Sequence, residues 1–238
     1  GIAEDHAITF ACGMALEGLR PFVSVYSSFL QRAYDQLNHD VCRMNLPVVI
    51  GVDRCSIIGE DGDSHQGVFD ISYMNSLPNM VIAEGKNSSQ IEALLDLAFS
   101  QTSPFAIRYP RGSIEYNCDH KCDVTLGKWE FVVNNIDSKV SIITYGNDVC
   151  KIEKDINDNH LPYNLINALF IKPIDEELLV SIGKLNKPIV VCTNDIIKGG
   201  LGDSILECLN KNQINAPVYI LGVDDIYVKH GSVLKVKE

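Results

Sequence analysis

The hydrophobic pattern switches repeatedly between two periods, and that switching restricts the possible folds more than any other feature of the sequence. Ala7, Phe10, Ala11, Met14 and Gly18 follow a helical stripe, and the run RPFVSVY (20–26) then reads as a strand. Leu30, Ala33, Tyr34, Leu37, Val41 and Met44 return to helical spacing, with Arg32, Asp35, Asp40 and Arg43 on the opposite face. PVVIGV (47–52) and MVIA (80–83) are short continuous apolar runs, as expected of strands covered on both faces. Ser89-Gln-Ile-Glu92 has the form of a capping box and opens a helix with Ile91, Leu94, Leu95, Ala98 and Phe99 inward. The run FAIR (105–108) closes the series as a strand. Helices alternating with buried strands predict an α/β fold, a mostly parallel sheet with helices on both faces.

The second half repeats the alternation more faintly. Strands are expected at Ser141–Tyr145, Leu165–Phe170, Pro188–Cys192 and Val218–Leu221. Helices are expected at Asp148–Ile156, from a cap at Asp175 to Leu185, and at Gly202–Leu209. The stretch GSIEYNCDHKCDVT (112–125) is polar and aperiodic, which places a boundary there. The chain therefore divides into domains at 1–114 and 125–238 with a linker at 115–124, both halves being near the usual domain size.

Charge narrows the partners. The net charge is −11 and the isoelectric point near 4.9, which argues against nucleic acid. All six Arg (20, 32, 43, 54, 108 and 111) lie in the first half, while the second half has only Lys. A guanidinium offers a planar fork to phosphate or carboxylate, so a small anion would bind in the first half. No apolar run approaches the length of a membrane span. The eight Cys are scattered through apolar runs and read as reduced, buried thiols. Cys118-Asp-His120-Lys-Cys122 lacks the second ligand pair of a zinc site and reads as linker.

In a parallel sheet, ligands gather beyond the carboxyl ends of the strands. Three predicted strand ends carry polar loops: Tyr26–Arg32, Asp53–Gly67 with Arg54, Asp61 and His65, and Arg108–Gly112 with Arg111. Three arginine-bearing loops on one edge would form an anion pocket; taken singly, each Arg could equally pair with a surface carboxylate. His65 stands out from the other histidines because it lies in a glycine-bounded loop with Asp61. Read from the residues alone, Glu4 is better explained as a helix N-terminal carboxylate than as a catalytic group. Gly199-Gly-Leu-Gly202 before a helix could cradle a phosphate, or simply make a tight turn.

As a set, these residues resemble one family. GIAEDHAITFACGMALEGLRPFVSVYSSFLQRAYDQLNHDV (1–41), VDRCSIIGEDGDSHQGVFDISY (52–73), RYPRG (108–112), LGKWE (126–130), FIKPIDEELL (170–179), GGLGDSI (199–205) and KHGS (229–232) are similar to the 1-deoxy-D-xylulose-5-phosphate synthases of the transketolase superfamily. The resemblance runs over essentially the whole chain and implies a pyrimidine-binding domain, incomplete at its N-terminus, followed by a transketolase C-terminal domain. It implies thiamine diphosphate as cofactor, with Mg2+ held by a further domain that would precede Gly1. Glu4 would hydrogen-bond the pyrimidine nitrogen, favouring the imino tautomer that deprotonates the thiazolium carbon. Phe29, with Tyr26 nearby, would stack on the pyrimidine. Arg54 and Arg111 would hold the phosphate of glyceraldehyde 3-phosphate, with Arg32 along the same channel. Asp61 and His65 would meet substrate hydroxyls, His65 as a catalytic group.

The implied reaction is decarboxylation of pyruvate and carboligation to the aldehyde, serving isoprenoid, thiamine and pyridoxal synthesis. The resemblance further implies a homodimer, and an inactive chain where the diphosphate domain is missing. The chain opens without Met and reads as part of a longer protein. A plastid or the bacterial cytoplasm would suit the family; 18 Asn and abundant Lys and Ile favour the plastid. Family members usually have Gln where Asp5 stands and smaller apolar residues or Gly at Cys55 and Ser56. In this picture the Gly199–Gly202 turn is no longer a phosphate cradle. Another transketolase-superfamily enzyme or a non-catalytic transketolase-like module are the alternatives.

Overall fold

Two five-stranded sheets organise the protein, a computed structural model that describes residues 2–112 and 124–237. The strands are β1 (Phe22–Tyr26), β2 (Val49–Asp53), β3 (Val81–Glu84), β4 (Phe105–Tyr109), β5 (Glu130–Val133), β6 (Val140–Thr144), β7 (Tyr163–Asn167), β8 (Phe170–Lys172), β9 (Ile189–Ile196) and β10 (Val218–Val223). The first sheet has the order β1-β2-β4-β3-β8 and the second β10-β9-β6-β7-β5. In each, four strands run parallel and one edge strand, β8 or β5, is antiparallel. The two-domain α/β class expected from the sequence is the one observed.

Helices cover the sheets: α1 (Glu4–Leu16), α2 (Ser27–Leu30), α3 (Tyr34–Gln36), α4 (Asp70–Asn75), α5 (Ser88–Ser100), α6 (Asp148–Asp158), α7 (Glu176–Gly183), α8 (Leu201–Lys211) and α9 (Val233–Lys237). The expected helix across residues 30–44 is broken into α2, a 3-10 turn, α3 and a wider π-type turn at Leu37–Cys42. It still buries Leu30, Ala33, Leu37 and Val41, whereas Tyr34 and Met44 are exposed. Asp175 caps α7 as expected, accepting from the Leu178 N–H at 3.0 Å.

Three expectations need correcting. The buried face of α1 is Ile8, Ala11, Cys12 and Ala15, and Phe10 is 64% exposed. Helical stripes offset by one residue overlap in an apolar segment, and only the sheet beneath selects between them. Secondly, the α5 cap is Asn87, not Ser89; its side chain accepts from the Gln90 N–H at 2.9 Å, while Gln90 reaches back to the Lys86 N–H at 2.9 Å. Thirdly, the apolar run Leu165–Phe170 is two strands. After Asn167 the chain leaves the second sheet, and Phe170–Lys172 pairs antiparallel with β3 in the first. The first sheet is thus completed by a strand from the second half of the chain. The candidate linker, including Cys118, His120 and Cys122, lies almost entirely outside the described residues.

Gly18 ends α1 with φ +83°, a left-handed conformation that glycine adopts without a Cβ penalty. The six described cysteines are free thiols, five of them buried. Burial pushes the Cys12 thiol up to about 11 and Cys42 to about 12, so both behave as small apolar groups. Among the described residues no helix is long and apolar enough to cross a membrane.

Candidate active site

The carboxyl ends of β1, β2 and β4 bring the three polar loops to one edge. Tyr26 closes β1, Arg54 follows β2, and Arg111 follows β4. Glu4 opens α1 with its side chain 14% exposed, and its Oε1 meets Arg32 Nη1 at 3.1 Å. Its Oε2 is buried and has no hydrogen-bond partner. A carboxylate oxygen shielded from water and left unpaired is costly, which is the mark of a position awaiting a ligand donor.

An aromatic and cationic ladder continues from Glu4. Arg32 lies over the Phe29 ring at 5.0 Å, Phe29 stacks on Tyr26 at 5.4 Å, and Arg54 lies over Tyr26 at 4.1 Å. Arg54 Nη1 donates to Asp61 Oδ2 at 2.6 Å, and Arg111 Nη1 to Asp61 Oδ1 at 2.7 Å. Two guanidiniums sharing one carboxylate leave a surplus positive charge. Both remain reachable, at 28% and 44% side-chain exposure. His65 meets the Phe29 ring edge-on at 5.3 Å, and its Nδ1 pairs with Ser64 Oγ at 2.9 Å. All eight sequence-selected residues therefore belong to one continuous cluster. Arg32 sits at the Glu4–Phe29 end of it, away from the Arg54–Asp61–Arg111 group. Among the described residues no group of three or more His, Cys, Asp or Glu is placed to hold a metal.

The loop carrying Asp61 and His65, which begins just after Arg54, is closed at its base by Ser56 and Gly67, which exchange backbone hydrogen bonds at 2.6 and 2.9 Å. A Cβ at Gly67 would fall 2.1 Å from the Arg54 carbonyl oxygen, so the close approach requires glycine. Gln66, buried beneath the loop, accepts from the Ile58 and Gly59 N–H groups at 2.8 and 3.2 Å.

Arg108 departs from the anion-pocket expectation. It is completely buried, and its guanidinium is consumed by Asp70 (2.6 and 3.1 Å), Asp195 (2.7 Å) and Glu84. Burial would depress the guanidinium, but Asp195 and Asp70 outweigh it and hold the charge firmly. Burial pushes the Glu84 carboxyl up to about 7, with Arg108 opposing and Asp195 and Asp70 reinforcing. Asp195 is also raised by burial against the pull of Arg108, while accepting from the Tyr145 hydroxyl at 2.6 Å. The sequence offered no signal for this knot: a strand-end arginine looks the same whether it faces a ligand or partners brought by another domain. Beside it, between the two halves, lies a cavity of about 370 Å³ that Arg111, Glu60 and Asp148 help to line. The Gly199–Gly202 segment is packed against α4, where a Cβ at Gly199 would meet Ser72 Oγ at 2.5 Å, so it is a tight turn and not a phosphate cradle.

Residues 1–116 match the family "Transketolase, pyrimidine binding domain", and residues 127–238 match "Transketolase, C-terminal domain". The chain belongs to the transketolase family. It resembles 1-deoxy-D-xylulose-5-phosphate synthase from Clostridium tetani, at 46% identity over 98% of this chain and 38% of that protein. The synthase from Listeria innocua is 44% identical over 98% of this chain and 38% of that protein, and the one from Caldanaerobacter subterraneus is 42% identical over the same shares. The chain thus spans about two-fifths of the length of these relatives and matches a C-terminal portion of them. Among solved structures, one described as "Split gene transketolase, inactive beta4 tetramer" superposes with a TM-score of 0.87 at 26% identity, covering 98% of this chain and 76% of that one.

Proposed function

We propose that this chain is the pyrimidine-binding and C-terminal part of a thiamine-diphosphate-dependent transferase that joins a two-carbon unit from pyruvate, with loss of CO2, to glyceraldehyde 3-phosphate. The product is 1-deoxy-D-xylulose 5-phosphate, a precursor for isoprenoid, thiamine and pyridoxal synthesis. The observation that carries this reading is the buried, unpaired Oε2 of Glu4, linked through Arg32 to the Phe29–Tyr26 stack. When bound, thiamine diphosphate supplies the nucleophilic carbon and the electron sink. Glu4 fits its aminopyrimidine: Arg32 fixes one carboxylate oxygen, and the other is free to share a proton with a ring nitrogen. Phe29, stacked on Tyr26, would meet that ring in place of Arg32, whose guanidinium stands over Phe29 at 5.0 Å.

Arg54 and Arg111 suit an aldehyde phosphate, because the anion would supply the second negative charge that Asp61 alone does not. Asp61 and His65 are the polar groups beside that position and would orient hydroxyls. The relatives are longer, which favours a diphosphate- and Mg2+-binding domain elsewhere in the active protein, working as a homodimer. By the same reasoning this chain alone is inactive, as is the split-gene transketolase beta4 tetramer. The named relatives are bacterial, which favours a bacterial cytoplasm over a plastid.

The deciding experiment is Glu4→Gln in the complete protein, assayed with pyruvate and glyceraldehyde 3-phosphate. Turnover should fall by about 10²–10⁴, the scale of a lost acid–base contact, while unfolding by urea stays nearly unchanged. Undiminished turnover would overturn the reading.

A further inference from the structure

The knot around Arg108 connects the second domain to both arms of the candidate site. Asp195 lies in β9, in the second half of the chain, and is 1% exposed. Its Oδ1 accepts from Arg108 Nη2 at 2.7 Å. Arg108 grips Asp70, whose Oδ1 accepts from Ser27 Oγ at 2.8 Å. Ser27 follows Tyr26 and opens the α2 turn bearing Phe29, and its carbonyl accepts from the Tyr73 hydroxyl at 3.4 Å. On the other arm, Ser56 Oγ donates to both oxygens of Asp195 at 3.3 and 3.4 Å. Ser56 stands two residues after Arg54 and closes the base of the loop that carries His65 and Asp61, the carboxylate that Arg54 grips.

The surroundings reinforce the link. The Ile196 N–H donates to the Val68 carbonyl at 3.0 Å, Ser72 Oγ to the Lys198 carbonyl at 2.8 Å, and Asn75 Nδ2 to the Gly199 carbonyl at 3.1 Å. The end of β9 and the turn after it therefore hold the segment from Val68 to Asn75, which includes Asp70. Buried charged hydrogen bonds are directional and costly to break singly, so a displacement of Asp195 must be answered by its partners.

We propose that Asp195, acting through Arg108–Asp70–Ser27 and through Ser56, is a positioning residue that sets the Tyr26–Phe29 stack and the Arg54 loop from the second domain. The proposal rests on the functional reading above only in taking that stack and loop as the site. Tyr26 is the natural reporter, since its ring touches Phe29 on one arm and Arg54 on the other.

The test places 3-fluorotyrosine at position 26 of the full chain and follows its 19F resonance, which needs neither cofactor nor turnover. Asp195→Asn should displace the resonance, and the milder Tyr145→Phe, which removes one donor to Asp195, should move it in the same direction by less. In a Ser27→Ala/Ser56→Ala background, Asp195→Asn should add no further displacement. Ile182→Val, a buried change in the second domain away from the knot, should leave the resonance in place. The proposal is overturned if the resonance is unmoved by both Asp195→Asn and Tyr145→Phe. A displacement that persists without the two hydroxyls, or one that Ile182→Val reproduces, overturns it equally. Full turnover in Glu4→Gln would remove the functional reading and leave these resonances as they are.

Discussion

Glu84→Gln should leave stability unchanged in mild acid and raise it above neutral pH. Glu84 lies buried in β3 with its carboxyl pushed up to about 7 by burial, against an ordinary value of 4.5. A folded-state pKa above the unfolded one means that the folded protein holds the proton more tightly. The group's contribution is therefore complete below pH 4.5 and is lost as pH rises through 7. A shift from 4.5 to about 7 corresponds to about 3 kcal/mol lost over that window. Glutamine reproduces the neutral acid: it can still accept from Arg108 Nη1, and Arg108 retains Asp70 and Asp195. The variant should match the native protein near pH 4.5 and exceed it by about 3 kcal/mol at pH 8.

Urea unfolding between pH 4.5 and 8 would measure this. Trp129, the single tryptophan, is a suitable fluorescent probe because it is buried and donates to the Phe170 carbonyl at 2.8 Å. Parallel curves for the two proteins would refute a titrating Glu84. A constant loss in the variant at every pH would show instead that Arg108 requires the third negative charge.

Other outcomes follow from the site. Arg54→Ala or Arg111→Ala in the complete protein should raise the KM for glyceraldehyde 3-phosphate roughly 10–100-fold, the worth of one charged hydrogen bond, and leave that for pyruvate nearly unchanged. Equal effects on the two substrates in steady-state kinetics would contradict the phosphate assignment. Gly67→Ala should destabilise the chain by about 1–3 kcal/mol in urea unfolding, because its Cβ would overlap the Arg54 carbonyl and force the loop base apart. A neutral Gly67→Ala would show that the loop base yields at no cost.

The local rules that the sequence obeys made much of the fold legible. Continuous apolar runs marked β2, β3 and β4, since strands covered on both faces have no polar side to display. The cap at Asp175 and the loops following β1, β2 and β4 could be read in the same way, from residue type and spacing alone. Arg54, Asp61, His65 and Arg111 were selected because polar residues at strand ends have no structural duty in the sheet, whereas Glu4, which by residue type and position alone is a helix N-terminal carboxylate, was selected only through the family resemblance. Glu130–Val133 was not recognised as a strand because it is half-buried, short and on an edge, so neither a clean alternation nor a continuous run appears.

What the tertiary structure alone decided is which distant groups meet. The face of α1 that packs inward, the departure of Phe170–Lys172 to the other sheet, and the burial of Arg108 all depend on contacts between segments far apart in the chain. Arg108 and Arg111 stand three positions apart with the same side chain, yet one is sealed among three carboxylates and the other faces solvent beside Asp61. Periodicity records how a segment divides oil from water. It carries no information about which charge a neighbouring domain will cover, and in a low-dielectric interior that choice settles whether an arginine anchors the fold or waits for an anion.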